Sequence, residues 1–419
     1  MKGKQIRFID CFRHGQWLLL IMSPALCFIS SVIKIKKGEV SASWSIPFIM
    51  GIIAYLYPPY SDFARLEDGL LDLLNEPLIN VIMLRGDLIV TSVVYLFLKC
   101  GIPIEFFRFL YTFVGYYFIT KIFVSITQNK SLSAHSIFYI WFFLFMQIEF
   151  FGFVDNIRTI FVRIILFYCM YQYFIRDINK YRYYSLFLIP VHFAYFPILL
   201  LFFFSKYFVF KFSRRTRVFV IVTYFLGGVI SDFVNLSAIL SLFDLGEALN
   251  KSVMVYTEGE WSSEGDSMNS YSLAFKIYSR LSSLGQLYLM FAICKLRCYC
   301  NVGDFCVLLG LLCMVTVSIP VLAGRYYGFF NIAISLFFLF GYINGLIKHE
   351  QMKIFCVLCL LKIALDIYAY WNSLVNGNVI FVFLPLPLAL FQTYNFVEWR
   401  NNRLTEDFNS FVNGSFLTR

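Results

Sequence analysis

Three arginines stand at or just inside the ends of long apolar runs: Arg158 and Arg163 in DNIRTIFVRIILFY, and Arg325 in IPVLAGRYYGFFN. An arginine at the centre of a membrane helix costs roughly 2.5 to 3.5 kcal/mol on insertion scales, so each one asks for a reason. A guanidinium stays charged and presents a planar fork that matches phosphate oxygens. A lipid-linked diphosphate at the membrane edge would be such a target. The plainer reading is that each side chain snorkels to headgroups or pairs with a local acid such as Asp155.

His192 lies between Pro190 and Pro197 in IPVHFAYFP, where two prolines interrupt an apolar stretch. An imidazole with an unperturbed pKa near 6.5 suits proton transfer, and a broken helix is where a cavity opens. Two acidic, aromatic segments supply carboxylates. YSDFARLED places Asp62, Glu67 and Asp68 beside Tyr60 and Arg65, and the later loop places Glu258 and Glu260 beside Tyr256 and Trp261. Carboxylates bonding to hydroxyls, with rings stacking on sugar faces, are a sugar-recognition chemistry; an ordinary solvated loop is the alternative.

The elements that must position these groups are almost entirely apolar. Of the 419 residues, 60% are hydrophobic and 14% charged, against about 25% charged in a soluble domain. A hydrocarbon core of about 30 Å needs roughly 20 apolar residues per helix, and only internally bonded backbone survives there. The expectation is therefore an all-α, polytopic integral membrane protein, with about 12–14 transmembrane helices, some broken or re-entrant, in a single domain over residues 1–419. Candidate spans lie near 15–33, 42–57, 80–98, 104–126, 135–153, 156–175, 183–205, 217–242, 275–294, 303–322, 326–347, 354–371 and 379–397.

Charge supports this organisation. The net charge of +10 resides in short loops between helices, which positive-inside bias explains without nucleic acid. The amino-terminal MKGKQIRFIDCFRHGQ reads as a retained cytoplasmic end, lacking a small-residue cleavage site. Residues 243–275, with six acids against Lys251, read as an outer loop, and 57–77 as a second one carrying a short amphipathic helix at the interface. The basic loops at 176–182 and 206–217 flank a single apolar stretch, and one crossing cannot have both ends inside. Residues 183–205 are therefore expected to form a broken helix or re-entrant hairpin, a geometry tolerated only where it is buried or lines a cavity.

Eleven cysteines invite a metal or disulfide reading. Cys27, Cys169, Cys306, Cys313, Cys356 and Cys359 lie inside apolar runs and read as small hydrophobes. No Cys-x-x-Cys pair with matching histidines accompanies them, so neither zinc nor another cofactor is expected. No internal repeat is visible, which counts against the repeat-built transporters.

The order of features resembles the EpsG-like and Wzy-type polymerases of bacterial surface polysaccharides. The resemblance rests on SDFARLEDGLL followed by Glu76-Pro77, on Ile157-Arg158 opening a helix, and on His192 within a span after a basic turn. An acidic loop and then the pair Arg325-Tyr326 complete the order, over roughly residues 55–345. The chain departs from these families at Thr159 and Val162, where Gln and Ala are common, and no hydroxyl directly follows His192. The resemblance implies a glycosyltransferase at the outer leaflet of a bacterial inner membrane. It would polymerise undecaprenyl-diphosphate-linked oligosaccharide units into O-antigen or exopolysaccharide, with membrane lipids and a chain-length regulator as partners. Arg158 and Arg325, with Arg163 as a lesser candidate, would bind the diphosphate. His192, or a carboxylate among Asp62, Glu67, Glu258 and Glu260, would deprotonate the acceptor, and Tyr60, Tyr326 and Trp261 would contact substrate. An O-antigen ligase and a lipid-linked oligosaccharide flippase or transporter are the competing classes.

Overall fold

Apolar runs with few charges fold as helices, and helices make up nearly all the regular structure of the computed structural model, with no strand among the described residues. Those residues are 15–57, 66–67, 69–85, 88–128, 132–207, 213, 215–216, 218–219, 301–316, 320–369 and 378–390. Among the described residues three helices are long and apolar enough to cross a bilayer: Ile104–Gln128, Ile157–Ile175 and Arg325–Ile343. At about 1.5 Å per residue, the first of these, 25 residues long, reaches roughly 37 Å.

Several runs that hydropathy joins into one span are two shorter helices. The 15–33 run is α1 (Gln16–Met22) and α2 (Pro24–Lys36). Ser23 is extended and its side chain accepts from the Leu26 amide, while Pro24 opens α2 where no amide donor is needed. A 3-10 turn (Val40–Ser45) leads into α3 (Ile46–Leu56). The 80–98 run is α4 (Leu78–Arg85) and α5 (Leu88–Lys99), and α6 (Ile104–Gln128) follows. The 135–153 run divides into α7 (Ala134–Phe145) and α8 (Phe150–Asp155), with α9 (Ile157–Met170) running on into a π-helical turn (Tyr171–Ile175).

Further along lie α10 (Lys180–Ser185), α11 (Phe196–Phe204), α12 (Asn301–Val315), α13 (Pro320–Ile343), α14 (His349–Ala369) and α15 (Leu386–Leu390). The expected spans at 217–242 and 275–294, and the acidic loop 243–275, lie outside the described residues. In place of the span expected at 379–397, the described part is a 3-10 turn (Asn378–Phe383) and the short α15. Pro385, between them, breaks the run.

The chain divides into two compact units. One comprises residues 1–168, 187–193 and 352–410, and the other residues 169–186, 194–351 and 411–419. In the first, Leu20, Cys27, Ile49, Ile52, Leu56, Val382 and Ala389 form a buried apolar cluster. A Cβ placed at Gly51 would fall 2.9 Å from the Phe109 ring, so α3 and α6 approach closely there. A ladder of stacked rings, Phe106, Phe109, Phe113 and Tyr117, runs along α6 at centroid spacings of 5.8, 6.2 and 6.2 Å. Beside it, a buried polar knot ties α1, α2 and the 3-10 turn. The Ser31 hydroxyl lies 2.9 Å from Gln16 Oε1 and 2.6 Å from the Ser45 hydroxyl. In the second unit Phe174, Phe202 and Phe305 meet with centroids 5.5 to 5.8 Å apart.

Candidate functional site

The apolar stretch after the basic turn does not form one helix. α10 gives way to a 3-10 turn (Leu186–Leu188), then non-helical residues 189–192, a second 3-10 turn (Phe193–Tyr195) and α11. Its two ends meet. Arg182 Nη1 donates to the Phe203 carbonyl at 2.9 Å, and the Tyr183 and Phe203 rings pack edge to face at 5.4 Å. The chain therefore turns back on itself between these residues.

The broken backbone is satisfied locally. Val191 and His192 both donate their amides to the Leu188 carbonyl, at 3.1 and 3.3 Å. The Pro190 carbonyl accepts from the Ile89 amide in the first turn of α5 at 3.0 Å, so two interruptions satisfy each other. Pro197 sits within the first turn of α11, where its missing donor costs nothing. His192 thus stands on non-helical backbone and is buried, 7% exposed.

Of the three arginines, Arg158 occupies a helix start. Arg158 is in the first turn of α9, half-buried, just after the break at Asn156 that separates α8 from α9. A helix amino terminus carries partial positive charge, so a cation there adds to an anion-attracting field. Arg163 is half-buried one turn and a half further on, and five residues place it about 140° around the helix from Arg158. Within α9 the two do not share a face. Thr159 and Val162, on the same helix, are both buried.

Arg325 is half-buried in α13 of the second unit. Tyr326 beside it is 3% exposed and its hydroxyl donates to the Ala194 carbonyl at 3.1 Å. The Tyr195 ring packs on Phe329 of the same helix at 4.4 Å. Tyr326, expected to contact substrate, thus has its hydroxyl engaged in holding the returning arm of the hairpin. Glu67 is buried, 8% exposed, in a short helical segment that also buries Leu66 and Leu70. Tyr60, Asp62, Glu258, Glu260 and Trp261 lie outside the described residues.

Other buried charges escaped the reading of the sequence. Arg108 is fully buried near the start of α6 and donates to the Tyr57 carbonyl. Its signal was Glu105 one turn earlier, to which it is paired at 3.8 Å. Arg182 counts as loop charge in the sequence, yet it is buried beneath the rings of Tyr173 and Tyr183, at 5.2 and 5.7 Å. In the first unit Lys362 of α14 bonds both oxygens of Asp366 at 3.3 and 3.0 Å and lies 3.8 Å from Glu149. Lysine followed by an acid four residues later within one apolar run was the readable sign of that pair.

Among the cysteines of the apolar runs, Cys27, Cys169, Cys306, Cys313 and Cys356 are buried and Cys359 is half-buried. No protein-family profile, curated protein or solved structure matches this chain.

Proposed function

We propose that this chain is a membrane glycosyltransferase of the Wzy type, elongating polysaccharide from oligosaccharide units carried on a polyprenyl diphosphate. The observation that carries the reading is the broken stretch between α10 and α11. A plain bundle helix gains nothing by being broken, whereas His192 is held buried on non-helical backbone in which the Val191 and His192 amides and the Pro190 carbonyl are hydrogen-bonded. Intramembrane ionisable groups of this kind are functional candidates by default.

In the proposed reaction a hydroxyl of the acceptor sugar gives its proton to a general base. The hydroxyl oxygen then bonds to the anomeric carbon of the donor as the carbon–oxygen bond to diphosphate breaks. The electron pair leaves on the phosphate oxygen, so negative charge grows there and preorganised cations lower the barrier. Arg158 and Arg325 are assigned to that charge, with Arg163 the weaker candidate. His192 or a carboxylate among Asp62, Glu67, Glu258 and Glu260 is assigned to the acceptor proton. The inner membrane of a bacterium and a chain-length regulator as partner belong to the same proposal.

Arg158→Ala and Arg325→Ala, each returned to a strain lacking the gene, should abolish chain growth at unchanged membrane abundance. A pattern in which both variants polymerise normally sinks the assignment. Loss of even single-unit transfer in the deletion strain would favour a ligase or a flippase.

A further inference from the structure

The connection between α3 and α4 is tied at both of its ends by buried polar side chains from other helices of the same unit. At the first end, α3 stops at Tyr57 because Pro58 and Pro59 follow. Its last carbonyls need donors, and a proline supplies none. Arg108 donates Nη1 to the Tyr57 carbonyl, with Glu105 beside its other terminal nitrogen at 3.8 Å. A guanidinium at a helix carboxyl terminus also meets the negative end of the helix dipole. The close approach of Gly51 to Phe109 leaves α3 and α6 no slack at this point. On its other side Tyr57 packs against Phe150 and Phe151 of α8, at 6.2 and 5.9 Å.

At the second end, Tyr95 of α5 is buried and its hydroxyl donates to the Glu76 carbonyl at 2.7 Å, with the Leu74 carbonyl at 3.3 Å. Lys99, one turn later, donates to the Tyr95 oxygen at 3.1 Å. A phenol that accepts from an ammonium becomes the better donor, so the lysine strengthens the tie to Glu76. Between the two ties the described part of the connection turns inward, burying Leu66, Glu67 and Leu70. A loop with no task needs neither tie, and a buried carboxylate is costly to keep.

We infer that Arg108 and Tyr95 are positioning residues for Glu67, fixing both ends of the connection so that this carboxylate is presented to the acceptor sugar. The inference rests on the polymerase reading for its chemistry but on the two ties for its geometry. Of the four carboxylates assigned to acceptor activation, it concerns Glu67, which lies among the described residues.

The test uses the full-length protein in membranes, with lipid-linked oligosaccharide extracted from the deletion strain as substrate. Tyr95→Phe removes one hydroxyl and keeps the ring, so the variant folds where Arg108→Gln would be at risk. Hydrogen exchange of amides 66–76 should quicken about tenfold in Tyr95→Phe, the effect of losing one buried hydrogen bond. Turnover should fall about tenfold, with KM for the lipid-linked unit unchanged within about twofold. The double variant Tyr95→Phe/Glu67→Gln should be no slower than Glu67→Gln alone. Unchanged exchange, additive rate losses, or full activity in Glu67→Gln would each overturn the inference. Absence of elongation by the wild type would instead overturn the polymerase reading, and the catalytic part of this inference with it, while the exchange comparison still decides whether the ties hold the loop.

Discussion

Arg182 ties α10 to the end of α11, and its removal has a cost that follows from its contacts. The guanidinium makes one charged hydrogen bond to the Phe203 carbonyl at 2.9 Å, and such bonds contribute about 1.5 to 3 kcal/mol. It lies over the rings of Tyr173 and Tyr183 at 5.2 and 5.7 Å, each contact adding about 0.5 to 1 kcal/mol. The favourable dipole at the end of α11 overlaps with the hydrogen bond and is not counted again. Tyr183 is exposed, which discounts its share. Arg182→Met, which keeps the apolar stem, should therefore destabilise the protein by about 2 to 4 kcal/mol. Arg182→Lys still reaches the carbonyl and loses only the planar stacking, for about 1 kcal/mol. Reversible unfolding in mixed micelles of increasing denaturing detergent reads both differences. A methionine variant within about 0.5 kcal/mol of wild type would refute the closed hairpin, since this is the ordinary spread of surface substitutions.

Two further outcomes follow from packing and charge. Gly51→Val should cost about 2 kcal/mol or more, because a Cβ there lies 2.9 Å from the Phe109 ring and 3.1 Å from its carbonyl oxygen; a neutral thermal shift would contradict the close α3–α6 contact. Lys362→Met should cost about 2 kcal/mol by leaving Asp366, whose side chain is 14% exposed, without its lysine. The double variant Lys362→Met/Asp366→Leu should recover most of that loss, and failure to recover would mean that the lysine does more than neutralise the acid.

How much of this was legible in the sequence depended on whether a signal was local or spatial. The turn-back at 183–205 was readable because Pro190, Pro197 and two basic flanks all lie in the stretch itself. The breaks at Ser23 and between Phe145 and Phe150 were not, because a hydropathy average across a short interruption hardly changes. Ser23 next to Pro24 was nevertheless a helix-start signature of the ordinary kind. Arg182 and Arg108 show the harder case. Counting basic residues places a loop on one side of the membrane, but it does not say which guanidinium turns inward to cap a helix that ends 21 residues later, as at Phe203. The tie from Arg108 to Tyr57 spans 51 residues and has no trace in the local pattern beyond Glu105. Of the candidate site residues, His192 and Glu67 were named by type and neighbours, whereas Tyr95 and Arg108, which tie the two ends of the connection that carries Glu67, became apparent only from the packing.

The central claim is that chain elongation depends on this protein and on its arginine at the start of α9. The most direct measurement is gel analysis of surface polysaccharide from the parent bacterium, from a strain lacking the gene, and from that strain carrying wild-type or Arg158→Ala copies. Elongation predicts that the ladder collapses to core plus a single repeat unit, that wild type restores it, and that Arg158→Ala does not. A ladder unchanged by deletion of the gene would contradict the account.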